Sequence, residues 1–197
     1  MINNKLILIS NLKYSLDNGV SEIISCLGKE ERVRSIYRKI VVLGDTGSGK
    51  TALVQRFVRD SFTVEYRPTS GAMPSKKSVE YGGITYNLVI WDIAGHLFRL
   101  HPAFSSDADG AILVCDIARQ ESVDALKECK AIIDKKLGNI PFVVAVNKID
   151  LSETSKCVEL EKCDYTIIET SAKTGKNVDK LFIELIKKMS EPPQSES

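Results

Sequence analysis

Gly44-Asp45-Thr46-Gly47-Ser48-Gly49-Lys50-Thr51 follows the apolar run Ile40-Val41-Val42-Leu43 and precedes a helical pattern that continues to about Arg59. The eight residues satisfy G-x-x-x-x-G-K-[ST], and strand–loop–helix is the context in which that motif works. Its glycines let the backbone curl until the N–H groups converge on phosphate oxygens, while the helix behind contributes the positive end of its dipole. Thr46, Gly47, Ser48, Gly49, Lys50, Thr51 and Ala52 are therefore assigned to a bound nucleotide. Lys50 is expected to reach the β- and γ-phosphates and so to take part in catalysis, and the Thr51 hydroxyl to ligate Mg²⁺. A glycine turn with a purely structural role is the alternative, and the flanking strand and helix argue against it.

Working outward, short apolar runs alternate with helical patterns. Residues 76–81 and 84–91 read as two strands joined at Gly82-Gly83, a two-glycine hairpin signal. The runs 111–115 and 142–146 are continuously apolar, as strands covered on both faces must be, and 165–168 is a shorter strand of the same kind. Helical patterns lie at about 122–137 and 177–189, the second with Val178, Leu181, Phe182, Leu185 and Ile186 on one stripe. This alternation predicts an α/β fold: a mostly parallel sheet with helices on both faces and one antiparallel edge strand supplied by the hairpin.

Two further motifs fall at strand ends. Asn147-Lys148-Ile149-Asp150 comes about 100 residues after the glycine loop. A carboxylate held there accepts both the ring N–H and the exocyclic amine of guanine, a donor pair that adenine lacks, so Asp150 is read as the base selector. The Lys148 stem is expected to lie over the base plane. Alone, N-K-x-D is a weak four-letter match; its order and distance after the loop give it weight. Trp91-Asp92-Ile93-Ala94-Gly95 closes the strand 84–91. Asp92 is placed to hold Mg²⁺, and the Gly95 N–H to meet a γ-phosphate. A helix-capping aspartate would be the better reading without the other two motifs.

In this order and spacing the three motifs resemble the Ras superfamily of small GTPases. Trp91, the start Gly44-Asp45-Thr46-Gly47 and the segment Ala108-Asp109-Gly110-Ala111-Ile112-Leu113-Val114 are most similar to its Rab branch. The resemblance covers about residues 38–189 and implies a P-loop NTPase (Ras-like) fold with GTP/GDP as ligand and substrate and Mg²⁺ as cofactor. It implies further residues. Glu169-Thr170-Ser171-Ala172-Lys173 resembles the last guanine-binding loop, with the Ala172 N–H toward the base oxygen and Ser171 and Lys173 beside it. Arg67-Pro68-Thr69 resembles the first switch, where Thr69 completes the Mg²⁺ shell. Phe62 falls where the family keeps an aromatic against the guanine edge, with plain core packing as the alternative, and Tyr66 where a tyrosine folds over the phosphates.

The likeness breaks in the second switch. His96 stands where most members carry the glutamine that orients the attacking water, the residue of the general GTPase scheme. Translation-factor GTPases resemble this chain in having histidine there. His96 is accordingly catalytic, or dependent on a partner, or a passive replacement in a slow enzyme. Leu97 replaces an acid usual in Rabs, and Pro74 a phenylalanine, so Rab-type effectors and exchange factors are not assumed.

The remaining composition is bland. Among 197 residues, 27 Lys and Arg face 26 Asp and Glu, a net charge of +1 that suggests neither a nucleic-acid nor a lipid field. Five cysteines without a C-x-x-C pair argue against a disulfide framework or a zinc site. Ile at position 2 and the distance of Cys163 from the C-terminus lead to the expectation of no lipid anchor and a cytoplasmic protein. Residues 1–37 fall outside the strand–helix rhythm and read as an extension of one strand and one helix, packed on the domain in the preferred reading or docking a partner in the other. Residues 38–190 form the GTPase domain, and the tail 191–197 reads as disordered. The function expected is a GTP/GDP switch with slow, Mg²⁺-dependent hydrolysis and protein effectors and regulators; the alternative is a GTP-binding scaffold that hardly turns over.

Overall fold

A computed structural model describes residues 34–62, 71–93, 107–151 and 165–191. The expectations for Tyr66, Thr69, Gly95, His96, Leu97 and most of the extension 1–37 and the tail lie outside these residues. The described residues belong, Arg34 apart, to the compact unit Ser35–Ser197.

Six strands form one sheet: β1 (Arg34–Gly44), β2 (Ala72–Tyr81), β3 (Ile84–Ile93), β4 (Gly110–Asp116), β5 (Phe142–Asn147) and β6 (Ile167–Glu169), in the order β2-β3-β1-β4-β5-β6. β1 pairs parallel with β4, β4 with β5 and β5 with β6, while β2 and β3 are an antiparallel hairpin with Tyr81 opposite Ile84. The expected mixed sheet is therefore present, with β2 as its antiparallel edge. Pro74 sits on that edge strand, where a missing N–H costs least.

Period two decides the two faces. Ile40 and Val42 of β1, Ile112 and Val114 of β4 and Val143 and Ala145 of β5 pack in one cluster with α1 (Lys50–Arg59) and α3 (Val178–Ser190). Their neighbours Val41, Leu43, Leu113, Cys115, Val144 and Val146 pack in the other with α2 (Gln120–Leu137). Every residue of β4 is buried, which is why its sequence is a continuous apolar run rather than an alternating one. Phe57 of α1 stacks on Phe182 of α3 with ring centroids 3.7 Å apart.

Most boundaries moved outward, by as many as six residues at the start of β1, whereas β6 begins two residues inside the expected 165–168. β1 starts at Arg34 and β2 at Ala72, because pairing continues past the apolar residues into segments whose side chains are partly or fully exposed. β4 runs one residue further than its apolar stretch, to Asp116. No helix among the described residues is long and apolar enough to cross a membrane.

Candidate nucleotide site

β1, β4 and β5 end at one edge of the sheet, with Gly44 opposite Val114 and Asp116 opposite Asn147. The crevice at the carboxyl ends of parallel strands is where α/β sheets take ligands.

Sterics force the shape of the loop 44–51. At Gly44 (φ +148°) a Cβ would lie 2.1 Å from the Val114 carbonyl oxygen, and at Gly49 (φ +95°) 2.2 Å from Asn147 Nδ2. Any side chain at either position would displace backbone or the Asn147 amide. Gly49 is also the N-cap of α1, which has no side-chain cap and no acid in its first turn, so the dipole end is left for an anion. Lys50 Nζ donates to the carbonyls of Gly44 (3.0 Å) and Asp45 (2.8 Å). Burial lowers the Lys50 pKa, against the opposing charges of Asp92 and Asp45.

The end of β3 brings Asp92 to the first turn of α1. Thr51 Oγ1 donates to Asp92 Oδ2 at 2.5 Å. Asp92 is 3 % exposed, and its Oδ1 is buried without a hydrogen-bond partner among the described residues. Burial raises the Asp92 pKa, opposed by the Thr51 hydrogen bond and the Lys50 charge. A buried carboxylate oxygen lacking a donor, next to a hydroxyl, is a donor set that suits a hard divalent cation.

On the base side, Asn147 links three loops. Its Nδ2 donates to the Ser48 carbonyl (3.0 Å), and its Oδ1 accepts from the Ala172 N–H (3.2 Å) and Thr170 Oγ1 (3.3 Å). The Ala172 N–H, expected to face the base oxygen, is thus engaged by Asn147 in this structure. Lys148 adopts φ +68°, a left-handed conformation rare for a lysine, and its Nζ donates to Asp116 Oδ2 at 2.7 Å. Asp150 Oδ1 accepts from Ser171 Oγ at 2.5 Å, and Lys173 Nζ lies 3.8 Å from Asp150 Oδ2. From α1, Arg56 donates to the carbonyls of Ala172 (2.9 Å) and Lys173 (2.8 Å), fixing that loop from behind.

These residues wall a cavity of about 180 Å³, lined by Gly49, Ala52, Phe62, Asn147, Lys148, Asp150, Leu151, Ala172 and Lys173. All but Leu151 were singled out from the sequence. Phe62 lines the cavity and also packs against the α1–α3 cluster. Sequence reading missed Asp116, Arg119 and Arg56. Asp116 had a usable signal, a lone acid ending an apolar strand at the same sheet edge. Arg119 and Arg56 had none, since their partners are remote in sequence.

A Ras family model matches residues 39–191. The chain is 38% identical over 160 residues to Rab-22A of Homo sapiens, covering 77% of this chain and 82% of that protein. It is 35% identical over 153 residues to Rab-31 of Homo sapiens, covering 73% and 78%. With Rab-5A of Dictyostelium discoideum it shares 36% identity over 164 residues, covering 79% and 82%.

Proposed function

The chain belongs to the Ras family and is a small GTP-binding protein of Rab type, and from that premise we propose that it is a Mg²⁺-dependent GTP/GDP switch with slow intrinsic hydrolysis. The observation that carries the reading is the cavity, bounded by Gly49 and Ala52 toward the phosphate loop and by Lys148 and Asp150 toward the base.

Each group then has a task. Asp150 accepts the two N–H groups of guanine, with Ser171 and Lys173 holding its carboxylate in place. Lys50, whose ammonium is parked on two loop carbonyls, exchanges those contacts for phosphate oxygens. Thr51 and Asp92, with Thr69 from the first switch, would hold Mg²⁺, which would supply positive charge at the phosphates. Water attacks the γ-phosphorus in line, the bond to the β–γ bridging oxygen breaks, and GDP and phosphate result. Lys50 and the loop N–H groups stabilise the charge that develops on the oxygens. His96, as neutral imidazole, orients the water. Turnover is slow because one positioned water without an arginine donor leaves much of that charge unmet. Contacts from the γ-phosphate to Thr69 and Gly95 order the two switch loops for protein effectors, and hydrolysis releases them.

Single-turnover GTP hydrolysis across pH tests this. A water-orienting imidazole must be neutral, so the rate should rise with pH as the ring loses its proton and then level off. His96→Ala should remove that step and lower the rate, with GTP binding retained. Bound GTP that persists for hours at every pH would favour the non-hydrolysing scaffold, and an unchanged rate in His96→Ala would withdraw the catalytic histidine alone.

A further inference from the structure

Arg119 stands where helix formation argues against it. It is the N-cap of α2, in extended backbone (φ −131°, ψ 114°), and no side chain caps the helix there. Short oxygen-bearing residues suit that position, and a cation meets the like-signed end of the dipole. The guanidinium is committed elsewhere. Its Nη1 pairs with Asp45 Oδ2 at 3.0 Å, its Nη2 donates to the Thr46 carbonyl at 2.8 Å, and its Nε donates to Asp116 Oδ2 at 3.2 Å. Three nitrogens of one planar fork reach three separate groups, where a lysine ammonium would have to serve all of them from a single point.

Asp116 passes the link on. Its Oδ2 also takes the Lys148 Nζ hydrogen bond, and its Oδ1 accepts the Ala118 N–H at 3.0 Å. A charged chain Asp45–Arg119–Asp116–Lys148 therefore runs from the rim of the phosphate loop to the loop that reads the base. The Asp116 side chain is only 4 % exposed, so the middle of the chain is shielded, whereas those of Arg119 (38 %) and Asp45 (32 %) meet solvent and respond to salt. The second bridge between the same loops, Asn147 to the Ser48 carbonyl, is neutral and buried. Salt dependence thus separates the two.

We propose that Arg119 is a positioning residue that sets the lifetime of bound nucleotide, by tying the phosphate loop to the base-reading loop so that neither opens alone. This rests on the reading of the cavity as a guanine-nucleotide site, although Arg119 itself does not line it. A ligand held at both ends escapes fastest when one end lets go first. Through Arg119, movement of residues 45–46 strains the hold on Asp116 and hence on Lys148.

The test loads the full chain with Mg²⁺ and a fluorescent N-methylanthraniloyl GDP and follows its release into excess unlabelled GDP. Arg119→Ser supplies a proper N-cap, so its Tm should equal or exceed the parent's while GDP leaves roughly fivefold faster. Arg119→Lys should restore only part of the retention. Asp45→Asn, which leaves the Arg119 bond to the Thr46 carbonyl, should speed release by a smaller factor, and the double variant should be no faster than Arg119→Ser, which already removes the Asp45 contact. Raising salt from about 50 mM to about 500 mM should speed release from the parent and leave Arg119→Ser nearly unchanged. Release from Arg119→Ser at the parent's rate, or multiplying effects in the double variant, overturns the latch while leaving the nucleotide reading intact. Should Arg119→Ser lose stability, Asp45→Asn decides alone, and parental release from it overturns the proposal. A parent chain that does not retain labelled GDP overturns both readings.

Discussion

Asp150 shows how much chemistry one residue concentrates. Its carboxylate accepts from the Ser171 hydroxyl and has Lys173 nearby, and it lines the cavity, so it is oriented before any ligand arrives. Exchanging it for an amide replaces an acceptor by a mixed donor–acceptor and, on the proposed reading of the site, removes at least one charge-assisted hydrogen bond to guanine. Such a bond is worth about 1.5–3 kcal/mol, so Asp150→Asn should weaken GTP binding at least about tenfold. Xanthine nucleotides, which present an oxygen in place of the amine, should gain relative to guanine in a competition titration. An unchanged preference would remove Asp150 as the base reader. Asp92 is the counterpart at the phosphate end: its motif was plain in the sequence, whereas its burial and the unpartnered Oδ1 that make it fit a cation were not.

The loop 44–51 is an element whose sequence and shape explain each other, because two of its glycines are required by contacts and not by flexibility. Gly44 abuts the backbone of β4, so Gly44→Ala must push two adjacent strands apart or break the loop. Gly82 in the hairpin is the natural control: it also has positive φ (+59°), but a Cβ there meets open space. Gly82→Ala should cost about 1 kcal/mol for conformation alone, and Gly44→Ala about 3 kcal/mol, since overpacking adds to strain. Urea unfolding midpoints of the two variants measure the difference, and equal losses would show that contact with Val114 is not what demands glycine. Among the described residues the six strands and three α-helices were legible from apolar runs and periodicity, in α3 most clearly, where the predicted stripe of five residues is the buried face. Element ends were less legible, because strand pairing of β1 and β2 extends through residues with no apolar pattern.

Across the whole molecule, the acid response should depend on Asp116. Burial by itself would raise the Asp116 pKa, but hydrogen bonds from Lys148, Ala118 and Arg119 and the Lys148 charge outweigh it and hold it below the ordinary carboxylate value. A depressed pKa means that the folded state keeps Asp116 ionised at pH values where the unfolded chain has begun to take up its proton. Its stabilisation is therefore complete above the unfolded value of about 3.9 and is lost as pH falls through the lower folded one. Asp116→Asn should cost about 2 kcal/mol at neutral pH, with Lys148 and Arg119 left short of their acceptor, and that gap should close on acidification. Urea midpoints of parent and variant from pH 7 downward test the sign; a gap that widens in acid would contradict it. By itself the sequence determined the α/β alternation and singled out the glycine loop 44–51, Asp92 and the motif Asn147–Asp150, because each is a short string whose spacing carries the chemistry. Only the tertiary structure decided that Asp45, Arg119, Asp116 and Lys148 form one chain and that Arg56 braces the loop at Ala172. The charged chain exists because β1, β4 and β5 end side by side, and the Arg56 brace because α1 lies next to the loop that follows β6; residues brought together only by the fold leave no periodic trace along the sequence.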